Sequence, residues 1–454
     1  MKRYEAYKPV TSRWAKQLPF YWEFQKIAEV FIERKENNDP IKTTNILSLT
    51  NTRGVIPYSD KGNLGNKAKN DIRGYRLAYP GDIVLNSMNV VIGSVGLSQY
   101  YGAVSPVYYM LYVRNNTKYN VRYYNYVFQD KIFQGGLNGL GNGILEIRMR
   151  IPMSKLKYVC VPVPPRDEQD QIVRYLDWQV SKINRLIAAK RKQIELLSEE
   201  KQNIINAAVL HGVNDRCEKR TSPILFADWI PSHWRVLRGK YLFAEHDRRT
   251  ETGNEVLLSV SHITGVTPRS EKNITMFQAE SLVGYKICSV DDIAANTMWM
   301  WQGAIAVSDY YGVISPSYNT YHQIGNHYNR KYLDYLLRSN VMVNEYKAKS
   351  TGIRKSRLRL YPEQFLSMSF PIPPMDEQLE IVKYIEAKIQ RIEVMVSTIH
   401  AEIQKIQDLR ARLISDVVTG QIDVRGIEVP TFEYIDESNN NDENTEEMEA
   451  ELDG

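Results

Sequence analysis

The chain has 454 residues, of which 43% are hydrophobic and 24% are charged, so it is long enough for two or three domains with buried cores. Its three cysteines, Cys160, Cys217 and Cys288, lie far apart, which argues against a disulfide framework and against the usual zinc-binding spacings. There is no apolar run of membrane-spanning length and no apolar centre typical of a signal peptide, so we expect a cytoplasmic protein that does not enter a membrane.

The net charge of +5 hides an uneven distribution. Residues 431–454 hold ten Asp or Glu residues and no Lys or Arg, which leaves 58 basic residues against 43 acidic ones in the rest of the chain. Such an excess is typical of proteins that bind nucleic acid, although charge alone is equally compatible with a basic protein that has no such role. The acidic tail itself is predicted to be disordered.

In chain order, the sequence first predicts a globular segment that ends near residue 156. Short strands are predicted at residues 44–49, 83–85, 90–95 and 107–113, with turn residues between them. A helix is predicted at residues 121–133, followed by a glycine-rich loop at residues 135–143 and a short return strand. The alternation of strands and turns indicates a mixed domain.

A long amphipathic helix comes next, and it opens with Pro164, Pro165, Asp167, Glu168 and Gln169. Proline fits the first turn of a helix, and acidic side chains there complement the partial positive charge of the free amides. Apolar residues then recur at alternating spacings of three and four, which predicts that one seam packs against another helix.

The same order of segments recurs about 210 residues later. A second globular segment at residues 221–370 leads to a second long helix, which opens with Pro373, Pro374, Asp376, Glu377 and Gln378. The match is densest where Asp82, Asn86, Met88, Gly93 and Ser98 reappear as Asp292, Asn296, Met298, Gly303 and Ser308. We therefore predict an α+β fold with two similar α/β domains, two long antiparallel coiled-coil helices and a pseudo-two-fold internal repeat.

The predicted boundaries follow the repeat: domains at residues 1–160 and 216–369, long helices at 161–215 and 370–425, and an acidic tail at 426–454. Three cations interrupt the apolar seams of the helices, namely Lys190, Lys201 and Arg410. They either set the register of the pair or extend their charged ends into solvent, and we favour the second interpretation.

Catalytic motifs are missing from the sequence. There is no phosphate-binding loop that ends in Gly-Lys-Ser or Gly-Lys-Thr, and the glycines at residues 139–143 do not connect a strand to a helix as a dinucleotide site requires. His322 and His327 have no convincing third metal ligand nearby. We expect neither a cofactor nor a metal site.

Pro-Pro-x-Asp-Glu-Gln opens both long helices, and Val417-Val418-Thr419-Gly420-Gln421-Ile422 closes the second. With these motifs and the order domain, helix, domain, helix, nearly the whole chain resembles the specificity subunit of type I restriction-modification systems. The resemblance implies a non-catalytic, DNA-binding subunit whose two target-recognition domains each read one half of a bipartite site in double-stranded DNA. It further implies that the paired helices act as a spacer and dock two methyltransferase subunits, with restriction subunits as further partners.

Carried over to this chain, the resemblance implies two sets of contact residues. DNA contacts are expected from basic and amide side chains in matching loops of the two domains: Lys67, Lys69, Arg73, Asn86, Asn89, Arg148, Arg150, Arg269, Asn296, Arg354, Lys355, Arg357 and Arg359. Subunit contacts are expected at the two helix starts: Asp167, Glu168, Gln169, Asp376, Glu377 and Gln378. The first helix departs from the pattern because it ends Leu210-His211-Gly212 instead of repeating Thr419-Gly420.

Two other classes of function remain open at this stage. The chain could be a stand-alone DNA-modifying enzyme, against which the missing cofactor motif speaks. It could also be a coiled-coil scaffold with no DNA role, for which the long helices alone would be sufficient.

Overall fold

The computed structural model describes residues 2–51, 53–61, 68–69, 71–141, 150–214, 216–271, 281–352 and 358–435. Contacts divide these residues into two units. The first unit combines the residues up to Arg191 with the described residues from His400 onward, and the second unit runs from Lys192 to Ile399. Each unit therefore contains one globular domain and a part of both long helices. None of the helices in these ranges is long and apolar enough to cross a membrane.

The first globular domain is built from short strands around an antiparallel sheet. Its strands are β1 (Tyr7–Pro9), β2 (Gln17–Pro19), β3 (Glu23–Lys26), β4 (Phe31–Arg34), β5 (Leu47–Thr50), β6 (Gly54–Pro57), β7 (Arg76–Ala78), β8 (Ile83–Asn86), β9 (Val95–Leu97), β10 (Gly102–Val104), β11 (Tyr108–Val113) and β12 (Cys160–Val163). Its helices are α1 (Ile27–Val30), α2 (Val121–Gln129), α3 (Lys131–Gly136) and α4 (Met153–Leu156). The largest sheet has the order β4-β11-β8-β9.

A long helix follows each domain along the chain: α5 (Arg166–His211) follows the first domain, and α9 (Met375–Val418) follows the second. The second globular domain lies between them. Its strands are β13 (Lys219–Thr221), β14 (Trp229–Pro231), β15 (Arg235–Arg238), β16 (Phe243–His246), β17 (Leu258–Ser261), β18 (Gly265–Pro268), β19 (Lys286–Cys288), β20 (Ile293–Ala295), β21 (Ile305–Val307), β22 (Gly312–Ile314), β23 (Asn319–Gln323) and β24 (Ser369–Ile372). Its helices are α6 (Arg330–Leu337), α7 (Asn340–Lys349) and α8 (Pro362–Ser367).

The two domains share one topology. The second domain has a sheet of order β16-β23-β20-β21, whose strands occupy the same places in the repeat as β4-β11-β8-β9. Both sheets are antiparallel throughout, so each strand contributes alternate side chains to the core. The predicted internal repeat of two similar domains is confirmed.

The long helices run antiparallel within each unit. In the first unit, Leu176 near the start of α5 shares a core with Val417 near the end of α9, while Lys190 pairs with Glu402 at 2.6 Å. The second unit repeats this arrangement, with Lys201 and Glu393 paired at 3.0 Å. Both lysines therefore bind a carboxylate of the opposite helix instead of only extending into solvent, which favours the register interpretation. Exposed pairs of this kind contribute at most about 1 kcal/mol each.

A buried carboxylate just before the third strand of each main sheet contacts a different basic side chain in the two domains. Asp82 is almost fully buried, and the Arg34 guanidinium donates two hydrogen bonds to it at 2.7 and 3.0 Å. Asp292 occupies the matching position of the second domain, where the His246 Nε2 lies 3.1 Å from its carboxylate. An arginine in one repeat is thus replaced by a histidine in the other.

Local hydrogen bonds correct two predicted elements. The predicted strand at residues 90–95 is a 3-10 turn (Val90–Ile92) followed by β9, because Gly93 adopts a φ of +96° that ends the turn. The predicted helix at residues 121–133 is two helices, because the Asp130 side chain accepts hydrogen bonds from the amides of Ile132 and Phe133 and starts α3 anew.

The C-terminal segment after α9 lies along the first part of α5. The Gln171 side chain donates to the carbonyls of Val424 and Ile427 at 3.0 and 2.7 Å, and Ser181 donates to the Glu433 carbonyl at 2.9 Å. Residues 426–435, which the sequence placed in the acidic tail, are therefore packed against a helix. Residues 436–454 lie outside the described ranges.

Candidate nucleic-acid interface and helix-start contacts

The start of α5 is bonded to the first globular domain through Gln169. This side chain is fully buried, and its Oε1 accepts a hydrogen bond from the Asn120 backbone amide at 2.8 Å. Its Nε2 donates to the carbonyls of Lys118 and Pro164 at 3.0 and 2.8 Å. Asn120 is the N-cap of α2, so one glutamine fixes the starts of two helices relative to each other.

The start of α9 repeats these bonds in the second domain. The buried Gln378 accepts from the Asn329 amide at 2.7 Å and donates to the carbonyls of His327 and Pro373 at 2.8 and 2.9 Å. Asn329 is the N-cap of α6, the counterpart of α2. The Gln of each Pro-Pro-x-Asp-Glu-Gln motif is thus a structural residue.

The Glu of each motif is also bonded inside its own unit. Glu168 accepts hydrogen bonds from the hydroxyls of Tyr4 and Tyr21, the latter at 2.9 Å. Burial, together with the bond to Glu168, raises the pKa of Tyr21 to about 12, so this hydroxyl remains a donor at neutral pH. Glu377 accepts from the Trp234 indole at 3.1 Å and lies 2.8 Å from the His233 ring nitrogen.

Three of the predicted subunit contacts at the helix starts are buried within their own unit. Glu168, Gln169 and Gln378 have 5%, 0% and 0% of their surface exposed, which leaves no side-chain surface for a partner subunit. Glu377 is half-buried, whereas Asp167 and Asp376 are exposed. Of the predicted subunit contacts, only the two aspartates point freely away from the fold.

A tight turn after the third strand of each main sheet has the same backbone in both domains. We call residues 86–94 turn 1 and residues 296–304 turn 2. The first residue donates its amide to the carbonyl of the ninth at 3.0 Å in turn 1 and at 2.9 Å in turn 2, where the pairs are Asn86 with Ser94 and Asn296 with Ala304. The glycines Gly93 and Gly303 have φ values of +96° and +95°. Two different sequences are therefore held in one rigid shape.

Asn296, a predicted DNA contact, shapes turn 2 from the inside. It is 5% exposed, its Nδ2 donates to the Tyr318 hydroxyl at 2.9 Å, and its Oδ1 accepts from the Met298 amide at 3.3 Å. Asn86 accepts from the Met88 amide at 3.0 Å in the same way. The Asn296 amide group is therefore bonded inside the turn, and its predicted contact with DNA stays a prediction.

The structure describes only some of the basic residues that were predicted to contact DNA. Lys67, Arg148, Arg354, Lys355 and Arg357 lie outside the described ranges. Lys69, Arg150 and Arg359 are exposed, and Arg269 is half-buried at the start of a 3-10 turn.

Arg73 is exposed but paired with a neighbouring acid. It donates two hydrogen bonds to Asp71, at 3.0 and 2.8 Å. These bonds lower the pKa of Asp71 to about 2. The charge of Arg73 is therefore already compensated within its own loop.

Each turn lies beside the base of a basic loop. In the first domain, the Ile151 amide, one residue after Arg150, donates to the Ser87 carbonyl of turn 1 at 2.9 Å. In the second domain, the Leu360 amide, one residue after Arg359, donates to the Thr297 carbonyl of turn 2 at 3.2 Å. The structure thus brings the predicted amide and arginine positions together in both domains.

A polar cleft borders each turn on the side of the long helices. The cleft of the second unit has a volume of about 550 Å³ and is lined by Gln302, His262, Arg338, Lys201 and Glu393, among others. The cleft of the first unit, of about 370 Å³, occupies the matching place. Within the described ranges, no group of three or more His, Cys, Asp or Glu side chains is arranged to hold a metal ion.

Two tryptophans at turn 2 were not among the predicted contacts. Trp299 and Trp301 are half-buried, and their rings are nearly parallel, with centroids 6.2 Å apart and an angle of 18° between the planes. The matching positions of turn 1 hold Asn89 and Val91. Aligning the two halves of the chain residue by residue would have singled out these positions, because residues that are identical in the two halves flank them on both sides.

The sequence is similar to those of known proteins. Residues 19–196 match the family described as the type I restriction modification DNA specificity domain. The putative type I restriction enzyme MjaX specificity subunit of Methanocaldococcus jannaschii is 22% identical over 459 residues, covering 90% of this chain and 95% of the relative. The MjaVIII specificity subunit of the same organism is 22% identical over 305 residues, covering 63% of this chain and 67% of the relative.

The fold is also found among solved structures. One similar structure comes from work on the structural basis of complex assembly and conformational transition of the type I R-M system. It has a TM-score of 0.57 and 14% sequence identity, and the match covers 89% of this chain and 99% of that one. Sequence and fold thus agree over nearly the full length, including both domains and both helices. The chain is thus similar, in sequence and in fold, to the specificity subunits of type I restriction-modification systems.

Proposed function

We propose that this protein is the DNA-recognition subunit of a type I restriction-modification complex, and that each unit reads one half of a bipartite site in double-stranded DNA. One observation carries the proposal. The two units repeat the same sheet order, helix-start bonds and turn geometry, while matching exposed positions carry different side chains. One rigid scaffold with two different sets of exposed residues suits a protein that reads two unequal half-sites.

The subunit itself is non-catalytic in this proposal and recruits its enzymes. Two methyltransferase subunits dock at the starts of the long helices, where Asp167 and Asp376 are exposed in matching positions, and restriction subunits join the complex. The basic excess outside the tail supports an affinity for DNA that falls as salt rises. A complex that acts on chromosomal DNA belongs in the cytoplasm.

The test is to co-express the chain with its methyltransferase subunit and map methylated adenines in the host DNA by single-molecule sequencing. We expect a bipartite motif that disappears when this chain is deleted. Replacing residues 1–156 by the corresponding domain of another family member should change one half of the motif only. A methylation pattern that does not depend on this chain would contradict the proposal, and methyl transfer by the purified chain alone would show that it is an enzyme.

The docking contacts are tested by charge reversal. The paired substitutions Asp167→Arg and Asp376→Arg are expected to reduce co-purification of the methyltransferase subunit. Glu200→Arg is the matched control, since Glu200 is an exposed acid in the last third of α5, away from its start. Equal retention of the partner by all variants would exclude the two aspartates as contacts.

A further inference from the structure

We infer that turns 1 and 2 are base-reading elements, and that Trp299 and Trp301 of turn 2 read the methyl group of a thymine by apolar contact in the major groove. The inference rests on the proposed function, because it assumes that each unit reads one half-site. It goes further by naming the side chains and the chemical group of DNA that they recognise.

The first support is the shape of the turns. The amides of Met88 and Met298 are bonded to the side chain of the turn's first residue, at 3.0 and 3.3 Å. The backbone then closes on itself, with the Trp299 carbonyl accepting from the Ala304 amide at 3.2 Å. A turn fixed by its own hydrogen bonds holds its side chains in place before DNA arrives, which lowers the entropy cost of binding.

The second support is the contrast between the two turns. Met88 and Met298 mark the same outer position, and each is 37% exposed. The neighbouring positions differ in chemistry, with Asn89 and Val91 in turn 1 against two indoles in turn 2. Because the backbone is shared, the difference changes what the turn can recognise and leaves its shape unchanged.

The third support is the position of the turns beside cationic segments. The residue after Arg359 is hydrogen-bonded to turn 2, and the residue after Arg150 is hydrogen-bonded to turn 1. Contacts from arginine to phosphate position a protein on the duplex, whereas contacts to base edges specify the sequence. An arginine next to each turn would place the turn against the groove.

The chemistry of the side chains assigns the bases. Thymine carries the apolar methyl group on the major-groove edge, and an apolar side chain distinguishes it from cytosine. The Trp301 indole N–H is already bonded to the Met298 carbonyl at 3.0 Å, so this ring offers DNA its apolar face. An asparagine such as Asn89, whose side chain caps no amide of its own turn, instead suits the paired donor and acceptor of adenine.

The experiment gives turn 2 the side chains that turn 1 carries at the two matching positions. The double variant Trp299→Asn, Trp301→Val is co-expressed with the methyltransferase subunit, and the methylated motif is mapped as for the unchanged chain. We expect one or two adjacent positions of a single half-site to lose their thymine preference by at least about fivefold. That half-site must be the one that replacement of residues 1–156 leaves unchanged.

Two further variants guard against a trivial result. Trp229→Asn removes another half-buried tryptophan of the second unit, stacked on His211 far along the chain from turn 2, and should leave the motif unchanged. If the double variant does not assemble, Asn89→Trp in turn 1 should alter the opposite half-site instead. An unchanged motif in an assembled turn variant would overturn the inference while the bipartite motif still supports the proposed function. The absence of any bipartite motif from the unchanged chain would overturn both.

Discussion

Replacing Gln378 by alanine should destabilise the second unit at the start of α9. The substitution removes three hydrogen bonds of 2.7, 2.8 and 2.9 Å and leaves one amide and two carbonyls without their partner. Each such bond contributes about 1 kcal/mol net, so we expect the free energy of unfolding to fall by about 3 kcal/mol. For a unit of this size, that loss lowers Tm by about 6–12 °C.

Hydrogen exchange followed by mass spectrometry measures the loss of stability locally, at the start of α9. The Asn329 amide, which Gln378 accepts from, should exchange up to about a hundredfold faster in the variant, since a 3 kcal/mol loss changes an opening equilibrium by roughly that factor. Gln169→Ala should produce the same change at the Asn120 amide in the first unit. Gln404→Ala is the matched control, because this glutamine is exposed and bonds Asp408, on its own helix, at 3.0 Å.

The result that would refute the reasoning is specific. If Gln378→Ala melts within about 1 °C of Gln404→Ala, and the Asn329 amide exchanges at its original rate, the buried bonds do not stabilise the helix start. If the variant is as stable as the unchanged chain but loses its methyltransferase partner, Gln378 is a subunit contact as the sequence first predicted.

Three further predictions concern buried groups and one glycine. Arg34→Ala leaves the buried Asp82 without its cation and should lower the free energy of unfolding, measured in urea, by about 3–5 kcal/mol. Adding Asp82→Asn should restore part of this loss, and no recovery in the double variant would contradict the ion-pair explanation. Burial raises the pKa of Glu345 from 4.5 to about 7, so this carboxyl loses its proton at a lower pH in the unfolded chain than in the folded one. The stability of the fold therefore falls as the pH rises between these two values. The free energy of unfolding of Glu345→Gln should therefore exceed that of the unchanged chain by up to about 3 kcal/mol at pH 8 and by little at pH 4.5. Equal differences at the two pH values would exclude the raised pKa of Glu345 as the cause. Gly420→Ala should lose about 1–3 kcal/mol, because φ is +68° and a Cβ would lie 2.4 Å from a proline ring carbon, whereas Gly426→Ala, with open space around it, should melt like the unchanged chain.

The repeat and the long helices were predictable from the sequence, because they depend on patterns that local physics imposes. Proline pairs with following acids mark a helix start, and apolar spacings of three and four mark a packed seam. The observed helices, Arg166–His211 and Met375–Val418, begin directly after the proline pairs that mark the helix starts in the sequence. The first helix also ends as the second does, since Gly212 and Gly420 have φ values of +74° and +68° despite their different neighbours.

What only the tertiary structure decided is which polar side chains face inward. Pro-Pro-x-Asp-Glu-Gln shows three adjacent polar residues after the prolines, yet Asp167 is exposed while Gln169 is fully buried. The difference arises because the backbone groups that Gln169 satisfies, at Asn120 and Lys118, come from a distant part of the chain. Likewise Asn296 and Trp299 lie three residues apart in one turn, and only the folded backbone determines that the amide points inward while an indole remains partly exposed. A sequence pattern records local preference, whereas burial is set by whichever distant segments pack on either side.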